Sequence, residues 1–222
     1  MRLRLPARLS LVALSLSLVT LCAGCNYVVL MGYLIGGPPS NEPHYDKMTG
    51  NSMTAKDVVV AVAVYAPKEV RYNFSHVDRE LAKFITRKML RHNIVCLNPD
   101  AVQQWLDEHP NWDEPEEIGR GVGATHVVYV DLTRYTLYDG HNHELYWGKA
   151  ESDVTVYELD EDGEGEPTFS KELMTRFPLA APRSTTDISR AGFQYLFLTR
   201  IAEEIGRCFY EHFNGDDISD AT

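Results

Sequence analysis

The sequence predicts an α/β (α+β) fold: a single domain with a mixed β-sheet, helices packed mainly on one face, and the element order β-α-β-α-β-β-β-α. Three observations predict it. The run "DVVVAVAVYAP" (57–67) is almost continuously apolar, as a central strand covered by neighbours requires. From 147 to 157, Gly148, Ala150, Ser152, Val154 and Val156 alternate with Trp147, Lys149, Glu151, Asp153, Thr155 and Tyr157, the pattern of a half-buried antiparallel strand. Two longer segments, 75–93 and 187–213, carry apolar residues at helical spacing.

Each element follows in order. After the first strand, "SHVDRELAKFITRKMLRHN" places Val77, Leu81, Phe84, Ile85 and Met89 on one helical face, with Ser75 three residues before Asp78 as a capping-box-like start. "NIVCLN" reads as a short second strand, and "PDAVQQWLDEH" as a short helix with Pro99 in its first turn. "PEEIGRGVGATHVVYVDLTRYTLYD" runs from a helical turn through glycines into a long strand. Two more strands, "HELYWGKAESDVTVYEL" and "PTFSKELMTRFPL", are joined by the acidic tip "DEDGEGE". In the closing helix, Phe193, Leu196, Phe197, Ile201, Ile205, Cys208 and Phe209 form one stripe.

Ahead of the domain lies a different kind of sequence. Arg2, Arg4 and Arg8 precede an uncharged run from Leu9 to Leu21, and then Cys22-Ala23-Gly24-Cys25. A basic start, an apolar stretch and small residues before a cysteine make a secretory leader, and the end resembles the bacterial lipobox, where signal peptidase II cuts before a diacylated cysteine. That resemblance implies lipidation of Cys25. The usual leucine three places before the cysteine is Cys22 here, with Leu21 one step earlier. An uncleaved anchor is the alternative, since Leu11 to Ile35 is long enough to cross ~30 Å of hydrocarbon as a helix. A redox Cys-x-x-Cys is disfavoured because no βαβ context surrounds it. The expected divisions are a signal peptide at 1–24, an anchored apolar segment and flexible Gly/Pro/Ser-rich linker at 25–56, the folded domain at 57–213 and an acidic tail at 214–222.

Charge narrows the partners. The chain has 222 residues with 21 Lys and Arg against 32 Asp and Glu, and removing the leader takes away only basic groups. An acidic surface argues against nucleic acid, which needs a basic face, so attachment to a membrane rests on acyl chains at Cys25. Cys96 and Cys208 sit in apolar patterns where a pair or two buried thiols fit equally well.

The lipobox, the tether, "VVVAVAVYAP" and above all "GRGVGATHVVYVDLTRY" together resemble the α/β domain shared by several envelope lipoproteins. These are the curli-secretion pore subunit, the lipoprotein activators of penicillin-binding proteins, and the N-terminal domain of the Tol-system translocation protein. In that group a Gly-Ala turn, here Gly123-Ala124, leads from a helix into a central strand. The resemblance implies a non-enzymatic binding or assembly role in the cell envelope, with an envelope protein or a second copy as partner. Asn26 is not the aspartate that holds such lipoproteins in the inner membrane of enterobacteria, so the outer membrane is favoured, facing the periplasm.

Chemistry is sparse. Gly119, Gly121 and Gly123 precede a strand, the reverse of a dinucleotide loop, so they suit a helix C-cap. His141 and His143 stand two apart near Asp139 and Glu144, weak metal candidates beside a hairpin signal, Asp139-Gly140. A metal-dependent envelope enzyme built on that loop is the alternative function. The acidic tip lacks the calcium-hand spacing. No Gly-x-Ser-x-Gly, His-Glu-x-x-His or Walker motif occurs, so neither catalytic residues nor a cofactor are expected. The candidate interface is the outer sheet face with Trp147, Tyr157 and Tyr135, amphipathic aromatics suited to a binding surface.

Overall fold

The computed structural model describes residues 30–34, 40–140 and 142–213. The chain divides into two units, 1–40 and 41–222. Of the first, residues 30–34 are helical with Leu30, Met31, Tyr33 and Leu34 exposed. The leader, Cys25 and the acidic tail lie outside the described residues, and among the described residues no helix is long and apolar enough to cross a membrane.

The second unit contains α1 (His44–Thr49), β1 (Val60–Tyr65), α2 (Lys68–Asn73), α3 (Val77–Arg91), α4 (Pro99–Glu108), α5 (Pro115–Val122), β2 (His126–Asp139), β3 (Asn142–Leu159), β4 (Gly165–Phe177), the two-residue β5 (Arg183–Ser184) and α6 (Arg190–Gly206). The sheet runs β1-β2-β3-β4, with β5 beside the start of β3. β1 is parallel to β2, and the β2-β3-β4 meander is antiparallel, so the sheet is mixed.

Sequence pattern decides which face each strand gives to which layer. In β1 the valines 60, 62 and 64 point to a large core built by Val77, Leu81, Ile85 and Met89 of α3 and Phe193, Phe197, Ile201 and Ile205 of α6. Ala61 and Ala63 point the other way, to a smaller core with Val102 of α4 and Ile118 of α5. Two methyl-sized side chains let the short helices approach that face closely. β3 keeps the expected alternation from Tyr146 to Val156, its core-facing residues buried and the rest half-buried. Gly123 closes α5 at φ 73°, a left-handed C-cap that a Cβ would strain, and its amide bonds back to the carbonyl of Gly119. At the start of α4, Asn98 accepts from the amide of Asp100 at 2.9 Å, with Pro99 in the first turn.

Four expectations change. The linker does not reach residue 56: α1 forms, Tyr45 and Met53 are buried in the large core, and the Tyr45 amide donates to the carbonyl of Cys208 at 2.9 Å, so the folded part starts near residue 41. Two anchors so far apart in a Gly/Pro-rich stretch are too few to show a period. "NIVCLN" shrinks to one parallel bridge, Cys96 on Val60, because the left-handed Asn93 and the Asn98 cap leave little room between them. The α3 cap is His76 at φ 64° rather than Ser75, after the separate short helix α2. Tyr135 faces inward, as detailed below.

Candidate functional site

β1 is the point where the winding of the chain reverses. From β1 the chain crosses the first face through α2 and α3 to the Cys96 bridge on one flank, then returns over the second face through α4 and α5 to β2 on the other flank. In open α/β sheets, ligands sit in the crevice beyond the carboxyl end of such a strand. A cleft of about 810 Å³ occupies that place.

Its walls come from several segments. Tyr65 ends β1, Tyr129 lies on β2 and Tyr157 on β3, while Trp112 comes from the turn between α4 and α5, Arg71 from α2, His76 from the cap of α3 and Arg79 from α3. The aromatic side chains hold one another: Trp112 meets Tyr129 edge-on at 6.0 Å, and the Arg71 guanidinium lies 5.9 Å above the Tyr65 ring. Burial, then Asp131, Tyr65 and Tyr157, push the Tyr129 phenol up to about 12. Arg79 is paired with Asp107 at 2.8 Å across α3 and α4, and both ends are half exposed. The lining presents amphipathic rings, the Arg79–Asp107 ion pair and the polar side chains of Ser75, His76, Asp78, Gln103 and Asp113. Chemically it suits binding.

The residues singled out from sequence fall in different places. Tyr157 lines the cleft. Trp147 is half-buried on the same strand and the same face, its indole Nε1 donating to the carbonyl of Pro178 at 3.2 Å and the Lys149 ammonium 5.1 Å from its ring. Ten residues of strand separate the two, roughly 33 Å, so they do not form one patch. Tyr135 is not on that face: a bulge between Asp131 and Arg134 shifts the alternation and pairs it with buried Ala150. It is 3% exposed, its ring stacked on Phe197 at 5.2 Å and edge-on to Phe74 at 4.8 Å.

His143 is exposed at the start of β3, its ring 4.8 Å from that of Tyr138; His141 lies outside the described residues. β2 and β3 pair as far as Asp139 and Asn142, with Gly140 at φ 58°, so the Asp-Gly signal marks a hairpin. In the acidic tip, Asp160 accepts from the amides of Asp162 and Glu164, both at 2.9 Å, and Glu164 pairs with Arg120. Among the described residues no group of three His, Cys, Asp or Glu side chains is placed to hold a metal ion. Cys96 and Cys208 are free thiols. Tyr65, Trp112 and Tyr129 were missed because they lie on separate segments. The signal available was the pair of alanines in β1, which marks a second helical layer and therefore a crevice at its rim.

No protein-family model and no curated protein matches this chain. Several solved structures do. They include the hypothetical protein CT253 of Chlamydia trachomatis, with 15% identity and a TM-score of 0.43 over 68% of this chain and 97% of that one. Lipoprotein GNA1162 of Neisseria meningitidis matches at 10% identity and a TM-score of 0.42 over 67% of this chain and 97% of that one. A PelC dodecamer of Paraburkholderia phytofirmans matches at 12% identity and a TM-score of 0.42 over 77% of this chain and 97% of that one. Likeness at this level says nothing of what this chain binds.

Proposed function

We propose that this is a lipid-anchored protein of the bacterial cell envelope, held through Cys25, facing the periplasm and favouring the outer membrane, whose folded unit binds another envelope protein without catalysis. The observation that supports the binding role best is the aromatic cleft at the end of β1, where Tyr65, Trp112, Tyr129 and Tyr157 converge beside Arg71. Rigid amphipathic rings give large contact area at low entropic cost, which is why they anchor interfaces. The anchor is supported by the leader and the Cys22-Ala23-Gly24-Cys25 ending.

Two measurements test it. Metabolic labelling with a palmitate analogue should mark the wild type and not Cys25→Ser; label retained in the variant sinks the anchor. A photo-reactive phenylalanine analogue in place of Trp112 or Tyr157 should give one discrete cross-linked species in cells. The same analogue in place of Tyr195, exposed on α6, should not. Identical patterns from all three positions overturn the cleft as the binding surface.

A further inference from the structure

On the side away from β1 the sheet ends in an open edge. β4 is its last strand, and among the described residues no strand lies beyond it. The Leu159 amide donates to the carbonyl of Thr125 at 2.9 Å, so the odd-numbered residues of β3 turn their backbone groups toward β2 and the even-numbered ones toward β4. Lys171, Leu173 and Thr175 stand opposite Val154, Ser152 and Ala150 and spend their backbone groups inside the sheet. Ser170, Glu172, Met174 and Arg176 therefore present their amides and carbonyls to the free edge.

Such an edge invites a further strand, and proteins ordinarily blunt it. The first part of β4 is blunted: Pro167 has no N–H to offer, and the register shifts beside it, between Tyr157 and Val156. From Ser170 onward the pairing with β3 is regular. A second, independent observation concerns charge. On the outer face of the sheet the exposed Glu172 stands directly across from Asp153, and the exposed Arg176 from Lys149. Like charges so placed repel. Neither Glu172 nor Arg176 has an ion-pair partner among the described residues. Between them Met174 is 72% exposed.

Taken in the reverse direction, the outward series Glu172, Met174, Arg176 is its own complement. We propose that β4 pairs antiparallel with β4 of a second copy of this chain about a two-fold axis at Met174, joining two sheets into one. In that register each Glu172 meets Arg176 of the other copy, and the two Met174 side chains meet each other. Residues 172, 174 and 176 all turn their backbone groups to the edge, so about six bonds form between the copies. Charge on an edge strand usually keeps a second strand away. Here its order attracts. Within 170–176, slipping the pairing toward the start of β4 leaves Glu172 opposite Met174 or opposite itself, so this register alone matches opposite charges. A contact of this kind is isologous and closes at two copies. None of its residues lines the aromatic cleft, and it does not rest on what the cleft binds.

Sedimentation equilibrium of the full chain in maltoside micelles tests the pairing. The wild type should dimerise with a Kd below about 100 µM. Glu172→Arg and Arg176→Glu each set like charges across the axis and should weaken the dimer at least about tenfold. Both positions are exposed, so circular dichroism and melting should match the wild type. The double variant Glu172→Arg/Arg176→Glu restores opposite charges and should restore the dimer. An equimolar mixture of the two single variants should do the same, because one then carries arginine at both positions and the other glutamate at both. In the same micelles, Met174→Cys oxidised with copper phenanthroline should give a disulfide-linked dimer, since facing Cα atoms in such a pair are about 5.5 Å apart. Thr168→Cys, away from the axis, should stay at the wild-type background. A chain still monomeric at about 100 µM, single variants that associate as tightly as the wild type, a mixture that stays monomeric, or equal cross-linking at both cysteine positions overturns the proposal.

Discussion

Substituting Gly148 by Ala tests how tightly α6 is seated on the sheet. Gly148 lies on the core face of β3, and a Cβ there would come 2.8 Å from both Cδ1 and Cε1 of Phe197 and 2.9 Å from its Cγ. The ring has nowhere to go: Phe197 is fully buried, with Tyr135 at 5.2 Å, Phe177 at 6.3 Å and Phe193 at 6.4 Å between ring centroids. Overpacking of this kind costs about 1–3 kcal/mol, while the reduced freedom of the unfolded chain offsets about 0.4–1 kcal/mol. Gly148→Ala should therefore destabilise by ~1–2 kcal/mol. Phe197→Ala alone should cost about 3–5 kcal/mol through lost burial and a cavity. In the double variant the new methyl meets no ring and fills part of that cavity, so the combined loss should fall short of the sum by ~1–3 kcal/mol. Urea unfolding of the four proteins, followed by circular dichroism and extrapolated linearly, gives the cycle. Additivity within about 0.5 kcal/mol, or a neutral Gly148→Ala, would refute the packing argument.

Asp131 and the thiols give two more predictions. Burial, and then Asp153 directly across the strand pair, hold the Asp131 carboxyl above its ordinary value of 3.8. A carboxylate whose folded value is raised contributes its full stability below that ordinary value and loses it as pH rises through the folded value. Asp131→Asn should consequently raise the melting temperature by about 2–4 °C at pH 7 and change little at pH 3. Equal effects at both pH values would exclude the electrostatic cause. Burial also pushes the Cys96 and Cys208 thiols up to about 12 and about 11, so thiolate is scarce at pH 8. Alkylation by iodoacetamide should be slow in the native protein and rise in step with urea unfolding; fast labelling without denaturant contradicts this burial.

The sequence carried most of the scaffold because its periods are clean. β3 alternates without interruption over its core residues, the α6 stripe repeats over four turns, and Gly123 stands where only a left-handed cap explains it. What escaped did so where period is broken or absent. The bulge after Asp131 reverses the faces of β2, and a side chain placed on the surface by counting, Tyr135, becomes part of the core. α1 and α2, six residues each, are too short to show amphipathicity. The aromatic cleft was not legible, since Tyr65, Trp112 and Tyr157 are brought together only by tertiary packing.

The parallel pairing of β1 sets the order in which the chain must wait for itself. Hairpins such as β2-β3 and β3-β4 close locally, whereas the contact from Val59 to Thr125 spans 66 residues, and loops of that length close late. Synthesis delivers β1 first. From Val58 to Val64 it is an uncharged, β-prone stretch, the composition that stacks onto other chains when left open. Until residues 126–131 have been made and have joined their own hairpin, α3 covers the valine side, α4 and α5 the alanine side, and one edge has only the single bridge to Cys96. A pause in translation before β2 therefore leaves the edge of β1 that β2 will pair with open to a neighbouring nascent chain.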